Sequence, residues 1–253
     1  MPSTAFESGK FWTTPWPCAK GCSHYPDPSN PCGNCWAEAL CNRFPEIHGN
    51  FKPRFQEAHL SDPLGWRKPR VIFAANTSDL WHFAFEEPEI QRVLSVAAGC
   101  PQHQFLWLSK RVDRMCDLFW RRSTILGHPV APNWWVGATC WNHASAERAL
   151  VHLAHMPDHH RWICYEPVLG DPGKLDLSCL SWVVLGVETG AKRREGQPEW
   201  LRSLADQCDA AGVPWWIKAY PLGGKRITHN LSDMPSWARV RQAPPKLERI
   251  LRA

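Results

Sequence analysis

From Pro69 onward the chain alternates, and this alternation limits its fold more than any other feature. Runs of four to six residues rich in Val, Ile, Trp, Phe and Leu are separated by longer amphipathic stretches. The runs are Val71–Asn76, Gln104–Ser109, Trp134–Thr139, Arg161–Tyr165, Trp182–Val187 and Pro214–Ala219. Each is mainly apolar, as expected of strands buried on both faces of a parallel sheet. The spacing predicts helices over Cys35–Phe44, Pro88–Ala98, Val112–Arg122, His143–His155 and Trp200–Ala211, with a short one at Pro245–Leu251. Asn142 is placed to cap the helix that follows it, and Gly212 to end the helix before it. With one more strand near Phe11–Pro15 the count is about seven. That predicts an α/β chain forming a complete or partial (β/α) TIM-like barrel, with an N-terminal cysteine-rich loop.

The 253 residues suit a single domain. Within it, residues 10–45 form the cysteine loop and first helix, and residues 221–253 a basic C-terminal extension. No apolar run is long enough for a membrane span, and the opening MPSTAFESGK lacks the pattern of a signal peptide. No nucleophile elbow, phosphate-binding loop or dinucleotide fingerprint is present.

In (β/α) barrels, chemistry gathers where strands end. Here almost every strand ends in polar groups: Asn76-Thr77-Ser78-Asp79, Ser109-Lys110-Arg111, Thr139-Cys140-Trp141-Asn142, Tyr165-Glu166, Val187-Glu188 and Lys218. Charge is also uneven. Residues 192–253 hold 12 Lys and Arg against 6 Asp and Glu, whereas the other 191 residues are nearly balanced. A local basic field favours a polyanionic partner, although a solvated basic tail has the same composition.

Five of the 11 cysteines, Cys18, Cys22, Cys32, Cys35 and Cys41, fall inside 24 residues. Two chemistries compete for them. Four thiolates in two pairs make a tetrahedral zinc site; three thiolates hold an iron–sulfur cluster with one iron open. Only Cys32 and Cys35 have the tight Cys-x-x-Cys spacing of a zinc knuckle. The loop also runs into a helix rather than a hairpin, which favours the cluster.

Taken in order, several segments resemble one family. They are Gly21-Cys22, Pro31-Cys32-Gly-Asn-Cys35-Trp-Ala-Glu38, Asn76-Thr-Ser-Asp79-Leu-Trp-His82, Leu108-Ser-Lys110-Arg111, Pro132-Asn133-Trp-Trp-Val-Gly137, Glu166-Pro167, Gly186-Val-Glu188-Thr-Gly190 and Pro-Trp-Trp-Ile-Lys218. The set resembles a phage-encoded, three-cysteine-motif family of unknown function that itself resembles radical S-adenosylmethionine enzymes. The resemblance implies a 4Fe–4S cluster on Cys22, Cys32 and Cys35, with S-adenosyl-L-methionine as cofactor. It also implies an electron donor such as flavodoxin, and the cytoplasm of a phage-infected or prophage-bearing bacterium. The nine residues between Cys22 and Cys32 exceed the family's usual loop, and Trp141 stands where the family often carries Glu.

On this basis Asn76, Thr77, Ser78 and Asp79 are the expected cofactor-binding residues, with Trp36 and Trp141 as stacking surfaces; Trp81 also lies in a loop directed at the site. Asp79 has a simpler alternative as a cap. Glu166, Glu188 and Lys218 are the expected catalytic residues. Their alternative is a buried ion pair, with either Glu bound to Lys110, Arg111 or Lys218. Burial is expected to lower the Lys218 pKa. Lys110 and Arg111 suit an anion clamp, and His82 a surface or capping position ahead of a ligand or base. Trp107, Trp134, Trp182 and Trp215 are expected in the core. Among the scattered cysteines, only Cys140 is expected near the site. The expected substrate is a DNA base or nucleotide, rearranged by an isomerase or aminomutase type of reaction in phage pyrimidine hypermodification. Two other functions fit the residues: a zinc-dependent nucleic-acid-binding module, and radical modification of a peptide or tRNA.

Overall fold

The computed structural model describes residues 8–124, 130–156 and 160–253. Part of the opening segment read above for a signal therefore lies outside the described residues. The strands are β1 (Thr14–Trp16), β2 (Ala19–Lys20), β3 (Arg54–Phe55), β4 (Val71–Ala74), β5 (Gln104–Ser109), β6 (Trp134–Cys140), β7 (His160–Tyr165), β8 (Trp182–Gly186), β9 (Trp215–Pro221) and β10 (Ile227–Thr228). The helices are α1 (Trp36–Arg43), α2 (Pro45–His48), α3 (Asp62–Gly65), α4 (Glu87–Ala98), α5 (Val112–Thr124), α6 (His143–Ala154), α7 (Pro198–Ala211) and α8 (Pro245–Leu251).

One eight-stranded sheet runs in the order β1-β4-β5-β6-β7-β8-β9-β10. Its first seven strands are parallel, and β10 returns antiparallel on β9. Side chains alternate between two cores. One face packs Ile72, Phe105, Trp107, Trp134, Ile163 and Val183 against the helices. The other carries Val71, Leu106, Trp135, Trp162, Trp182 and Trp216, and is filled by Phe11 and by Leu247 and Leu251 of α8. Both faces are buried, which explains why the strands read as mainly apolar runs and not as alternating ones.

Among the described residues no ladder joins β1 to β9, so the hydrogen bonding does not close a complete barrel. The free edge of β9 is already occupied. β10 pairs with Tyr220 and Pro221, while the Ile217 amide donates to the Val240 carbonyl at 2.9 Å and the Gln242 amide to the Trp215 carbonyl at 2.9 Å. Residues 9–13 lie between the two edges: the Trp216 indole donates to the Gly9 carbonyl at 3.3 Å, and the Thr13 amide to the Val71 carbonyl at 2.9 Å.

The expected elements recur with small shifts. Asn142 caps α6 by accepting from the Ser145 amide at 2.9 Å, and Gly212 ends α7 in the left-handed conformation at φ 66°. The hairpin of β2 and β3 was not anticipated. It pairs Ala19 with Phe55 and Lys20 with Arg54, and so closes the base of the cysteine loop.

Candidate active site

The cysteine loop is fastened to the carboxyl end of β4. Gly21 bridges to Ser78: its amide donates to the Thr77 carbonyl at 3.2 Å, and its carbonyl accepts from the Ser78 hydroxyl at 2.6 Å. Gly21 sits at φ +76°, where a Cβ would lie 2.2 Å from the Lys52 carbonyl oxygen. Only glycine fits this approach. Next in the chain, the Cys22 amide donates to the Phe51 carbonyl at 2.9 Å. His82 braces the following residue, its Nε2 lying 2.6 Å from the Ser23 hydroxyl. The Ala84 amide donates to His82 Nδ1 at 3.0 Å, so this buried ring braces the loop and is not the surface histidine expected as one possibility. Burial, with the nearby Arg111 cation, keeps it below the usual histidine range.

Behind the loop lies a buried ion pair. Arg111 donates to Asp79 at 2.9 Å and to the His24 carbonyl at 2.8 Å, and its Nη1 lies 3.9 Å from the Cys22 sulfur. Asp79 also accepts from the Ser109 hydroxyl at 2.7 Å and from the Trp81 amide at 3.1 Å. Asp79 is therefore both a turn cap and the anchor of Arg111. Arg111 in turn is bound to the protein and is not a free anion clamp.

A cavity of about 510 Å³ opens at the carboxyl ends of β4 to β9. Cys22, Cys32, Cys35 and Trp36 line it, as do Asn76 to Asp79, Lys110, Thr139, Cys164, Glu166, Glu188 and Lys218. Strands that are far apart in sequence thus deliver most of the expected residues to one space. Burial pushes the Cys22 and Cys35 thiols up; Arg111 beside Cys22, and the amides of Glu38 and Ala37 with Lys110 beside Cys35, pull the other way. The Tyr25 amide donates to the Cys32 sulfur at 3.4 Å. Among the described residues no group of three or more His, Cys, Asp or Glu side chains stands in a metal-holding arrangement. The Cys22, Cys32 and Cys35 residues all line the cavity, with Arg111 beside Cys22. Cys18 is buried in the helix-side core and does not join them, so the four-thiol set of a zinc site is not assembled.

Lys218 donates to both carboxylate oxygens of Glu166 at 2.7 Å. Burial alone pulls the ammonium down, as expected from sequence, but the adjoining Glu166 carboxylate and Cys164 outweigh it and hold Lys218 above its ordinary value. This corrects the expected lowering. Glu188 takes a partner that strand-end reasoning did not consider. It accepts from the Arg194 amide at 2.6 Å, from the Arg194 guanidinium, and from the Asn34 side chain at 3.1 Å. Burial raises its carboxyl, yet these donors outweigh that and hold it below the usual carboxylate range. Asn34 lies between Cys32 and Cys35, so Glu188 ties β8 to the cysteine loop.

Two stacking candidates do not reach the cavity. Trp141 is fully buried, with its indole donating to the Ser29 hydroxyl at 2.8 Å and packed on Tyr25. Trp81 is buried against Trp107 and Phe119. Both are corrected here to structural residues, because their rings are spent on core and loop packing. Trp36, 45% exposed, remains at the lip of the cavity. Cys140 points away into the helix-side core, and Cys164 faces the cavity instead. Strand alternation carries the missed signal: Cys164 shares a face with Glu166 two residues on, whereas Cys140 is out of phase with Thr139.

A family model spanning residues 8–239 matches this chain, described as "Protein of unknown function (DUF5131)". The chain belongs to this family. No curated protein matches the sequence. Among solved structures, a spore photoproduct lyase mutant with bound AdoMet and dinucleoside spore photoproduct is similar at 11% identity and a TM-score of 0.42. That match covers 76% of this chain and 59% of the other. A second spore photoproduct lyase mutant is similar at 9% identity and a TM-score of 0.42, covering 80% of this chain and 75% of the other. The chain thus spans less than two thirds of the first of these relatives. No described helix of this family member is long and apolar enough to cross a membrane.

Proposed function

We propose that the chain is a radical S-adenosylmethionine enzyme acting on a pyrimidine base of DNA, in a rearrangement that belongs to phage DNA hypermodification. The observation that carries this reading is the convergence of three thiols, a polar strand end and an acid–base pair on one cavity. Cys22, Cys32 and Cys35 would hold the 4Fe–4S cluster, and a flavodoxin-type donor would reduce it. When bound there, the cluster and the sulfonium cofactor would supply radical chemistry at a substrate carbon.

The protein's own work is positioning. Asn76 and Thr77 face the cavity and would meet the polar groups of the cofactor, while Ser78 and Asp79 hold the cysteine loop and Arg111. Trp36 offers an indole face at the lip for adenine or a substrate base. Lys218, kept protonated by Glu166, offers a fixed cation, and Glu166 a carboxylate, to substrate in the depth of the cavity. Glu188 fixes the cysteine loop through Asn34.

The test is anaerobic reconstitution of the protein with iron and sulfide. The expected product is brown, with about four irons, and it converts S-adenosylmethionine to 5′-deoxyadenosine when reduced in the presence of DNA. Cys32→Ala should lose the cluster. A fully loaded cluster in that variant overturns the ligand set, and a loaded wild type that never cleaves the cofactor overturns the radical chemistry. Cleavage stimulated by tRNA or peptide, and not by DNA, overturns the substrate.

A further inference from the structure

The basic surplus of the last quarter of the chain separates in space. One part, Lys246, Arg249 and Arg252, lies on or just after α8. α8 sits at the amino ends of the strands: Lys246 Nζ is 3.5 Å from the ring of His160, the first residue of β7, and Leu247 belongs to the same buried cluster as Val71 and Trp135, near the starts of β4 and β6. The other part, Lys192, Arg193, Arg194, Lys225 and Arg226, lies on two loops at the carboxyl ends of β8 and β9, where the cavity opens. Glu195 is the single acidic residue within residues 190–196 and 222–226.

These two loops form one tied unit. Arg193 donates through Nε to the Lys225 carbonyl at 2.5 Å and through Nη1 to the Gly190 carbonyl at 2.9 Å. The Gly224 amide donates to Glu195 at 2.9 Å. Gly196 packs so tightly on Val187 that a Cβ would lie 2.3 Å from it. Arg194 is committed to Glu188 and to the Ser29 and Asn30 carbonyls. Lys192, Lys225 and Arg226 remain exposed on this scaffold, next to Glu188, Thr189 and Gly190 in the cavity wall.

We infer that this rim is a phosphate-tracking surface that seats duplex DNA across the cavity mouth. The inference rests on the nucleic-acid part of the function proposed above, and it assigns the contact residues. Cations held on a preordered loop pair lose little entropy on meeting a fixed row of phosphates. On the cysteine side the lip carries an exposed indole, Trp36, a surface for an unstacked base and not for an acidic peptide.

The experiment measures binding of a fluorescein-labelled 20-base-pair duplex by anisotropy, without cofactor or reductant, across a salt series. The variant Lys192→Gln/Lys225→Gln/Arg226→Gln is compared with Lys246→Gln/Arg249→Gln/Arg252→Gln, which removes the same charge at the opposite end. The rim variant should bind at least about tenfold more weakly near 0.1 M salt, with a log K against log salt slope shallower by about two to three. The α8 variant should match the wild type, and all three should share one melting temperature. Equal binding by wild type and rim variant overturns the inference, as does equal loss in both variants. So does rim-dependent binding of polyglutamate in place of DNA. Because no cofactor is present, failure of the radical chemistry leaves this measurement intact, and an inert rim leaves the radical chemistry intact.

Discussion

Glu188 shows how much of a residue's role depends on partners its neighbours in sequence do not announce. It ends a buried strand, as does Glu166, and the two look alike in the sequence. Glu166 faces Lys218 across β8 at 2.7 Å; Glu188 turns to the cysteine loop and to Arg194. The donors around Glu188 place its folded-state pKa below the ordinary 4.5. Its contribution to stability is therefore present above the unfolded value and is lost as pH falls through the folded one. The stability difference between wild type and Glu188→Gln in urea melts should be large above about pH 5 and shrink toward about pH 3. A difference that stays constant across that range sinks the assignment. The positions of Asn76, Asp79, Glu166 and Lys218 were legible because a strand end in a parallel sheet is a fixed address. Which carboxylate pairs with which cation was not legible, since Arg194 reaches Glu188 only through the path of a loop. The lowered pKa expected for Lys218 failed because it weighed burial alone: the ion pair with Glu166, named as one alternative for that carboxylate, holds the ammonium up.

Elements were read well where their signals are local. α6 begins at Asn142 because its side chain accepts from the Ser145 amide, while the Ser145 hydroxyl accepts from the Asn142 amide at 3.0 Å. Removing the cap with Asn142→Ala should cost about 1 kcal/mol, read as a lower denaturant midpoint at unchanged slope. An unchanged midpoint would mean that α6 draws its stability from packing alone. The β2–β3 hairpin was missed because two-residue strands carry no periodic signal, and its partners are separated by the whole cysteine loop. That hairpin is what brings Cys22 back beside Phe51, so an element too short to read helps position the candidate site.

At the scale of the molecule, several of the 16 tryptophans have a structural use. Trp135, Trp162, Trp182 and Trp216 come from four successive strands onto one face, with Phe11 packed edge-on to Trp162 and Trp182. The layer needs Gly137, because a Cβ there would lie 2.3 Å from the Trp162 indole nitrogen. Gly137→Ala should destabilise the fold by about 1–3 kcal/mol, seen as a lower melting temperature. A neutral outcome would show that the indole layer has room to shift. A large ring buried in a parallel sheet cannot move without disturbing the strands on either side.

The sequence by itself determined the strand–helix order, the two-sided burial of the strands and the address of each polar strand end, because apolar period and capping are local properties. It also placed three thiols in one loop ahead of a helix. Only the tertiary structure decided the rest. The edge of β9 is filled by the returning chain, and among the described residues the sheet does not close through β1. Cys18 and Cys140 face a core, while Cys164 faces the cavity. Trp141 packs away and Trp36 stays at the lip. The basic quarter is divided between the two ends of the sheet. Each of these outcomes depends on which residues, distant in sequence, compete for the same buried face or the same unpaired backbone edge. Local patterning carries no record of that competition.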